Sequence, residues 1–270
     1  MRNSFDELET LFLKLLADIE DFLPYLVLVG GWVPNFYIKY LWKNLVVPPI
    51  VTTDIDFGLS QESGKEIFNE SIYKRLSRLK YRERHLNMDR MFPVVPILSS
   101  QTNSTKILIE FISSSDVTQE YIEALVGKEI IVNKIENFHI LMSDYIEIQI
   151  GRQSGLKPFK IKIPPPYLFL FHKAITFITR EDESKIAKDL FYAYYILRFH
   201  PNKEKLLSEV KSIPYKVEKR QAAENIRQYF SRISDKGCLM VEEQNGPDAF
   251  VFSVREDAHQ RFSELFEALD

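Results

Sequence analysis

Between Leu26 and Leu59 two short patterns follow one another, and together they leave few folds open to this chain. The first is Leu26-Val27-Leu28-Val29-Gly30-Gly31-Trp32-Val33-Pro34. Four apolar residues ending in paired glycines predict a buried strand that turns sharply at its end. Glycine takes the backbone angles of such a turn and lets a ligand come close to the main chain. Pro34 suits the first turn of a helix, where its missing N–H costs no hydrogen bond, so Trp32 to Trp42 is expected to be helical. A helix start behind a glycine turn offers N–H groups and a positive dipole end to an anion. Taken alone, a Gly-Gly pair is most simply a tight turn without a ligand.

The second pattern is Thr52-Thr53-Asp54-Ile55-Asp56-Phe57. Residues i and i+2 of a strand share a face. Asp54 and Asp56 therefore project side by side, while Ile55 and Phe57 face the core. Neighbouring carboxylates repel, which raises one pKa unless a cation lies between them. A divalent ion with oxygen ligands removes the conflict, and Mg²⁺ is commonly held by one or two carboxylates plus substrate phosphates. In isolation Asp-x-Asp also describes a solvated strand end. A third acid lies in Lys106-Ile107-Leu108-Ile109-Glu110-Phe111-Ile112. Glu110 shares the face of Leu108 and Ile112, where a carboxylate is costly unless paired or bound to metal.

A strand, Gly-Gly, a helix, Asp-x-Asp about two dozen residues later and an acid on a later strand resemble the nucleotidyltransferase superfamily with the polymerase-beta-like core. Thr53 directly before the Asp pair matches the family's usual wording. The resemblance implies transfer of an NMP from an NTP to a hydroxyl, with Mg²⁺ or Mn²⁺ held by Asp54, Asp56 and Glu110. In that family the third acid is either a metal ligand or the general base. Gly30, Gly31 and Thr53 would lie at the nucleotide. Trp32 stands where the Gly-Ser versions carry a hydroxyl, so the phosphate contact would fall to the main chain. Further on, Phe171-His172-Lys173-Ala174-Ile175, Arg180 and Lys188-Asp189-Leu190-Phe191 resemble the AbiEii-type branch, toxins of bacterial toxin–antitoxin and phage-defence systems. That implies Lys173 at the nucleotide phosphates, Asp189 positioning Lys173 or the acceptor, and an antitoxin protein as partner. Without the resemblance, these basic residues read as an exposed helix face. The acceptor is left open: RNA or tRNA, a protein, or a small molecule such as an aminoglycoside.

The expected fold is α+β, a mixed-sheet core with flanking helices followed by a mainly helical domain. The boundary is placed at Pro164-Pro165-Pro166, giving domains 1–163 and 164–270. Ser4 and Glu7 form a capping box for a first helix. Glu62 to Lys80 has amphipathic helical spacing. Irregular strand signals lie over Arg82–Pro96, including Met91–Val95, further strand patterns lie at Glu129–Val132, Tyr145–Ile150 and Lys160–Ile163, and Gln101–Ser104 is a turn. Helices are expected over Tyr167–Thr179, Ser184–Arg198 and Lys203–Ser231, the last broken at Ser212-Ile213-Pro214. Asn245-Gly246 between two apolar runs predicts a terminal β-hairpin, and Arg255–Leu269 a closing helix.

Composition limits the alternatives. No apolar run approaches the ~20 residues that span a bilayer, and the acidic start lacks a signal core, so a cytoplasmic protein without membrane contact is expected. The single cysteine, Cys238, excludes an internal disulfide and a Cys-rich zinc site. The five histidines lack metal-ligand spacing. Net charge is −3, yet residues 151–235 hold 17 Lys+Arg against 9 Asp+Glu, a distribution suited to a polyanion. Two other readings use the same residues. One is a nucleotide-binding or partner-binding module without turnover, against which the three acids argue. The other is a glycosyltransferase with its own Asp-x-Asp, against which the Gly-Gly helix start argues.

Overall fold

The computed structural model describes residues 2–44, 47, 50, 52–59, 68–85, 96–101, 106–150, 158–245 and 253–270. The chain divides into two compact units, Met1–Pro164 and Pro165–Asp270. The fold is α+β. The first unit is built on an eight-stranded sheet. In chain order its strands are β1 (Leu26–Val29), β2 (Asp54–Leu59), β3 (Arg82–His85), β4 (Pro96–Gln101), β5 (Lys106–Ser113), β6 (Asn133–Lys134), β7 (Ile146–Ile150) and β8 (Phe159–Ile163). Across the sheet they run β3-β4-β5-β2-β1-β8-β7, with β6 beside the end of β5. The sheet is mixed: β1 is antiparallel to β2 and parallel to β8, and β2 is parallel to β5.

Alternation along β2 and β5 sorts their side chains. Ile55 and Phe57 are fully buried, as are Ile107, Ile109 and Phe111 opposite them. The intervening Asp54, Asp56 and Glu110 are only half-buried on the other face. The first helix, α1 (Arg2–Asp18), buries Phe12, Leu15 and Leu16 completely. It begins two residues before Ser4, so Ser4 lies inside the helix and does not cap it. The remaining helices of this unit are short: α2 (Val33–Phe36), α3 (Ile72–Arg78), α4 (Gln119–Leu125) and α5 (Phe138–Leu141).

Several expectations change here. Of the helix expected over Glu62–Lys80, the described residues hold α3, started by the Ser71 hydroxyl, which accepts from the Lys74 N–H. Residues 60–67 lie outside the described residues, as do the Met91–Val95 pattern and residues 102–105 of the expected turn. Gln101 belongs to β4. Glu129–Val132 is not a strand. Gly127, at φ +117°, turns the chain, and its carbonyl accepts from the Ile130 N–H.

The second unit is helical: α6 (Pro166–Thr176), α7 (Glu183–Phe199), α8 (Lys203–Ser212), α9 (Lys216–Phe230), α10 (Lys236–Asn245) and α11 (Val254–Leu269). The first limb of the expected hairpin is overturned, since Cys238 to Glu243 lies within α10. The reason is burial at helical spacing: Gly237, Cys238 and Val241 face inward together. A Cβ on Gly237 would stand 2.6 Å from both the Phe230 ring and the Tyr229 carbonyl. Asn245 is the last described residue of this helix. The second limb, through residue 252, lies outside the described residues.

Candidate active site

The chain leaves β1 at Val29 and turns through Gly30, whose φ of +71° is the left-handed conformation that glycine adopts without strain. A continuous helical run follows. It starts as a 3-10 turn over Gly30–Trp32, becomes α2, and ends as a π-turn over Tyr37–Leu41. Pro34 sits in the first turn of α2. The run is anchored by packing of Trp32 against Phe12 and by the Tyr37 hydroxyl, which donates to the Pro164 carbonyl at 2.5 Å.

The acids meet through strand register. Asp56 stands opposite Val29 on one side and opposite Glu110 on the other. Residues paired in a ladder share a face, and strands lie about 4.8 Å apart with same-face neighbours roughly 7 Å along the strand. Asp54, Asp56 and Glu110 therefore form one group on one face, beside the glycine turn. Asp56 is folded against that turn: a Cβ on Gly30 would lie 1.9 Å from Asp56 Oδ2. The glycine is thus needed twice, for its backbone angle and for the space the carboxylate takes.

Thr53 prepares the strand. Its hydroxyl donates to Asp54 Oδ1 at 3.2 Å, and its carbonyl accepts from the Leu108 N–H at 3.0 Å, which opens the β2–β5 ladder. Asn35, which no sequence pattern singles out, is buried in α2 and binds the Ile50 backbone through both amide atoms. A polar residue amid the apolar Val33, Phe36, Tyr37 and Ile38 is the signal that could have found it. Among the described residues, no three His, Cys, Asp or Glu side chains form a group that could hold a metal ion as they stand.

Lys173 and Asp189 come together within the second unit. Lys173 Nζ donates to Asp189 Oδ1, and Arg180 Nε donates to Asp189 Oδ2 at 3.0 Å. Lys173 is 8% and Asp189 5% exposed, so Lys173 is not part of a solvated face. The physical cause is α6 itself, where Leu168, Phe169, Leu170, Phe171, Ala174 and Ile175 are all buried and leave no wet side. Lys185 and Lys188 are exposed, as an ordinary helix face would have them.

Burial pushes the Asp189 carboxyl up, but the Lys173 ammonium and the Arg180 guanidinium outweigh it and hold the group below the usual carboxylate range. A carboxyl whose folded pKa is depressed contributes its stability above the unfolded value and loses it as pH falls through the folded value. Melting temperature is therefore expected to be insensitive to this group above about pH 5 and to fall on its account below about pH 4. Thermal melts from pH 3 to 7 check this, with a shallower acid limb expected in Asp189→Asn.

Among the described residues no helix is long and apolar enough to cross a membrane. In comparisons with known proteins, residues 10–212 match the family model described as "Nucleotidyltransferase". No curated protein and no solved structure matches the chain. The matched span covers about three quarters of the sequence and contains the glycine turn, Asp54, Asp56 and Glu110, and the Lys173–Asp189 pair. On that match, the chain belongs to the nucleotidyltransferase family.

Proposed function

We propose that the protein transfers an NMP from an NTP to a hydroxyl acceptor in a metal-dependent reaction, with Asp54, Asp56 and Glu110 as the acting acids. The observation that carries this reading is the register that sets Asp56 opposite Glu110 and beside Gly30. The donor set fits a hard divalent ion. Carboxylate oxygens suit Mg²⁺ or Mn²⁺, and Mg²⁺ is normally completed by substrate phosphates and water rather than by an all-protein cage. Asp54 and Asp56 would hold the ion, with Glu110 a further ligand or the base. When bound, Mg²⁺ neutralises phosphate charge and polarises the α-phosphate.

The chain's own residues do the rest. Main-chain N–H groups at Gly30 and Gly31 bind phosphate oxygens at the helix start. Thr53 fixes the Asp54 carboxylate that lies next to the nucleotide. Where Glu110 is the base, it accepts the proton of the attacking hydroxyl. The acceptor oxygen forms a bond to the α-phosphorus, the α–β anhydride bond breaks, and pyrophosphate leaves. The AbiEii-type likeness supports Lys173 as a nucleotide contact. Asp189 takes one of its three donors and so holds the ammonium in place. Likeness of the Lys173 and Asp189 segments to AbiEii-type toxins supports a toxin or defence role in the cytoplasm, opposed by an antitoxin protein.

The test is label transfer from each of the four α-³²P-NTPs with Mg²⁺, offered in separate arms to total RNA including tRNA, to protein and to aminoglycosides. Label is expected in one acceptor class with one preferred base. Tight NTP binding with no transfer to any class would instead mean a nucleotide-binding module.

A further inference from the structure

Two contacts that tie the glycine turn and its helical run to the acid strand and its lead-in stand out, one at the acids and one away from them. The first is the packing of Asp56 on Gly30. The second is Asn35, which is 6% exposed. Its Nδ2 donates to the Ile50 carbonyl at 2.7 Å, and its Oδ1 accepts from the Ile50 N–H at 2.8 Å. One side chain thus satisfies both polar groups of one distant residue, as a neighbouring strand would. Ile50 lies four residues before Asp54. The carbonyl of Thr53, in the same lead-in, accepts the first cross-strand bond from Leu108.

We infer that Asn35 is a positioning residue: it fixes the lead-in to β2 relative to the Gly30–Leu41 helical run, and thereby the placement of Asp54 beside Asp56 and Glu110. This rests on the proposed function for what the acids do, but not for the clamp itself. Any residue that cannot both donate and accept breaks the closed pair and leaves the Ile50 groups without their protein partners. From Asp56 onward β2 is paired on both sides, with β1 and with β5, whereas Asp54 is paired with Leu108 of β5 and lies before the first β1 pair. The loss therefore falls on Thr52, Thr53 and the one-sided start of the strand at Asp54, and through Asp54 on ion and substrate placement rather than on the fold.

The experiment compares wild type, Asn35→Ala and Asn225→Ala. Asn225 is an equally buried asparagine of the second unit. Its Nδ2 donates to the Ala174 and Ile175 carbonyls at 3.0 Å each, so its loss costs stability without touching β2. Hydrogen exchange is expected to quicken about tenfold or more at Thr52 to Asp54 in Asn35→Ala, while exchange in β1 and β5 stays as in wild type. Mn²⁺ affinity, titrated in the presence of a non-hydrolysable triphosphate, is expected to fall about tenfold. kcat should fall by a like factor, with KM for NTP within about twofold. Asn225→Ala should lower the melting temperature with none of these changes.

If Asn35→Ala differs from wild type only in melting temperature, as Asn225→Ala does, the inference is overturned. If wild type binds no Mn²⁺ and transfers no label, the proposed function fails, and the exchange at Thr52 to Asp54 still decides the clamp. Should Asn35→Ala not fold, Asn35→Asp keeps the acceptor for the Ile50 N–H and is expected to show the same changes. A failure of that variant to fold as well would make Asn35 a requirement of the fold and overturn the positioning role.

Discussion

Asp56→Asn is expected to lower NTP-dependent transfer by about 10³-fold or more, roughly 4 kcal/mol of transition-state stabilisation, while leaving the protein at least as stable as wild type. The two effects have opposite signs for one reason. Asp56 faces Glu110 directly across the ladder and shares its face with Asp54. Like charges placed so are destabilising by about 0.2–1 kcal/mol per opposed pair. Asparagine keeps the shape, including the packing on Gly30, and removes one of the three charges. A rise in melting temperature of up to about 4 °C follows for a chain of this size. Activity disappears because the variant lacks the charge that an ion and a triphosphate require. Label transfer and thermal melts on the same preparation check both halves. A variant that loses activity and stability together would place Asp56 in the scaffold.

Gly30→Ala carries the second large effect, and there function is expected to suffer more than the fold. Gly30 sits at φ +71°, which costs an ordinary L residue about 1–2 kcal/mol. The new methyl also lands 1.9 Å from Asp56 Oδ2 and 2.8 Å from its Cγ. Both atoms belong to a side chain and not to the backbone, so the overlap is relieved by displacing the carboxylate. What it cannot then do is stand beside the phosphate-binding turn. The expected result is a modest loss of stability, about 1–3 kcal/mol, with transfer reduced by about 100-fold or more, as misplacement by an ångström commonly does. Adding Asp56→Ala to Gly30→Ala should recover the steric part of the stability loss, leave the backbone part, and restore no activity. Denaturant melts and the transfer assay separate these contributions.

Much of the acid site is legible in the sequence because strand geometry is periodic. Once Asp54-Ile55-Asp56 and the Glu110 segment are read as strands, alternation alone assigns their faces, and burial of Ile55, Phe57, Ile109 and Phe111 agrees. Which strands lie side by side is a different matter. The parallel pairing of β2 with β5 joins residues more than fifty positions apart, and no local pattern fixes it; the family resemblance implies only that an acid on a later strand joins the Asp pair. Asn35 stands out only as a polar residue among apolar ones, and its role is not legible for a related reason, since its partner is the backbone of a residue fifteen positions away.

The second unit shows where local rules compete. Asn-Gly between apolar runs is both a hairpin turn and a helix stop, and the inward spacing of Cys238 and Val241 decides for the helix. Lys173 sits on a helix that is apolar on most sides, so the charge that suggests a wet surface is held inside by Asp189. The first unit has a case of its own at Glu129–Val132, where two adjacent isoleucines suggest a strand, but Ile130 is buried and Ile131 is 46% exposed in a chain just turned by Gly127.

The central claim is that the acids of β2 and β5 act as one unit, and a double-mutant cycle on Asp56→Asn and Glu110→Gln tests it most directly. Groups that serve one step together lose nearly everything with the first substitution, so their effects do not add. The account predicts that the double variant transfers label about as slowly as the slower single variant. Losses that multiply across the cycle, or a Glu110→Gln protein as fast as wild type, would contradict it.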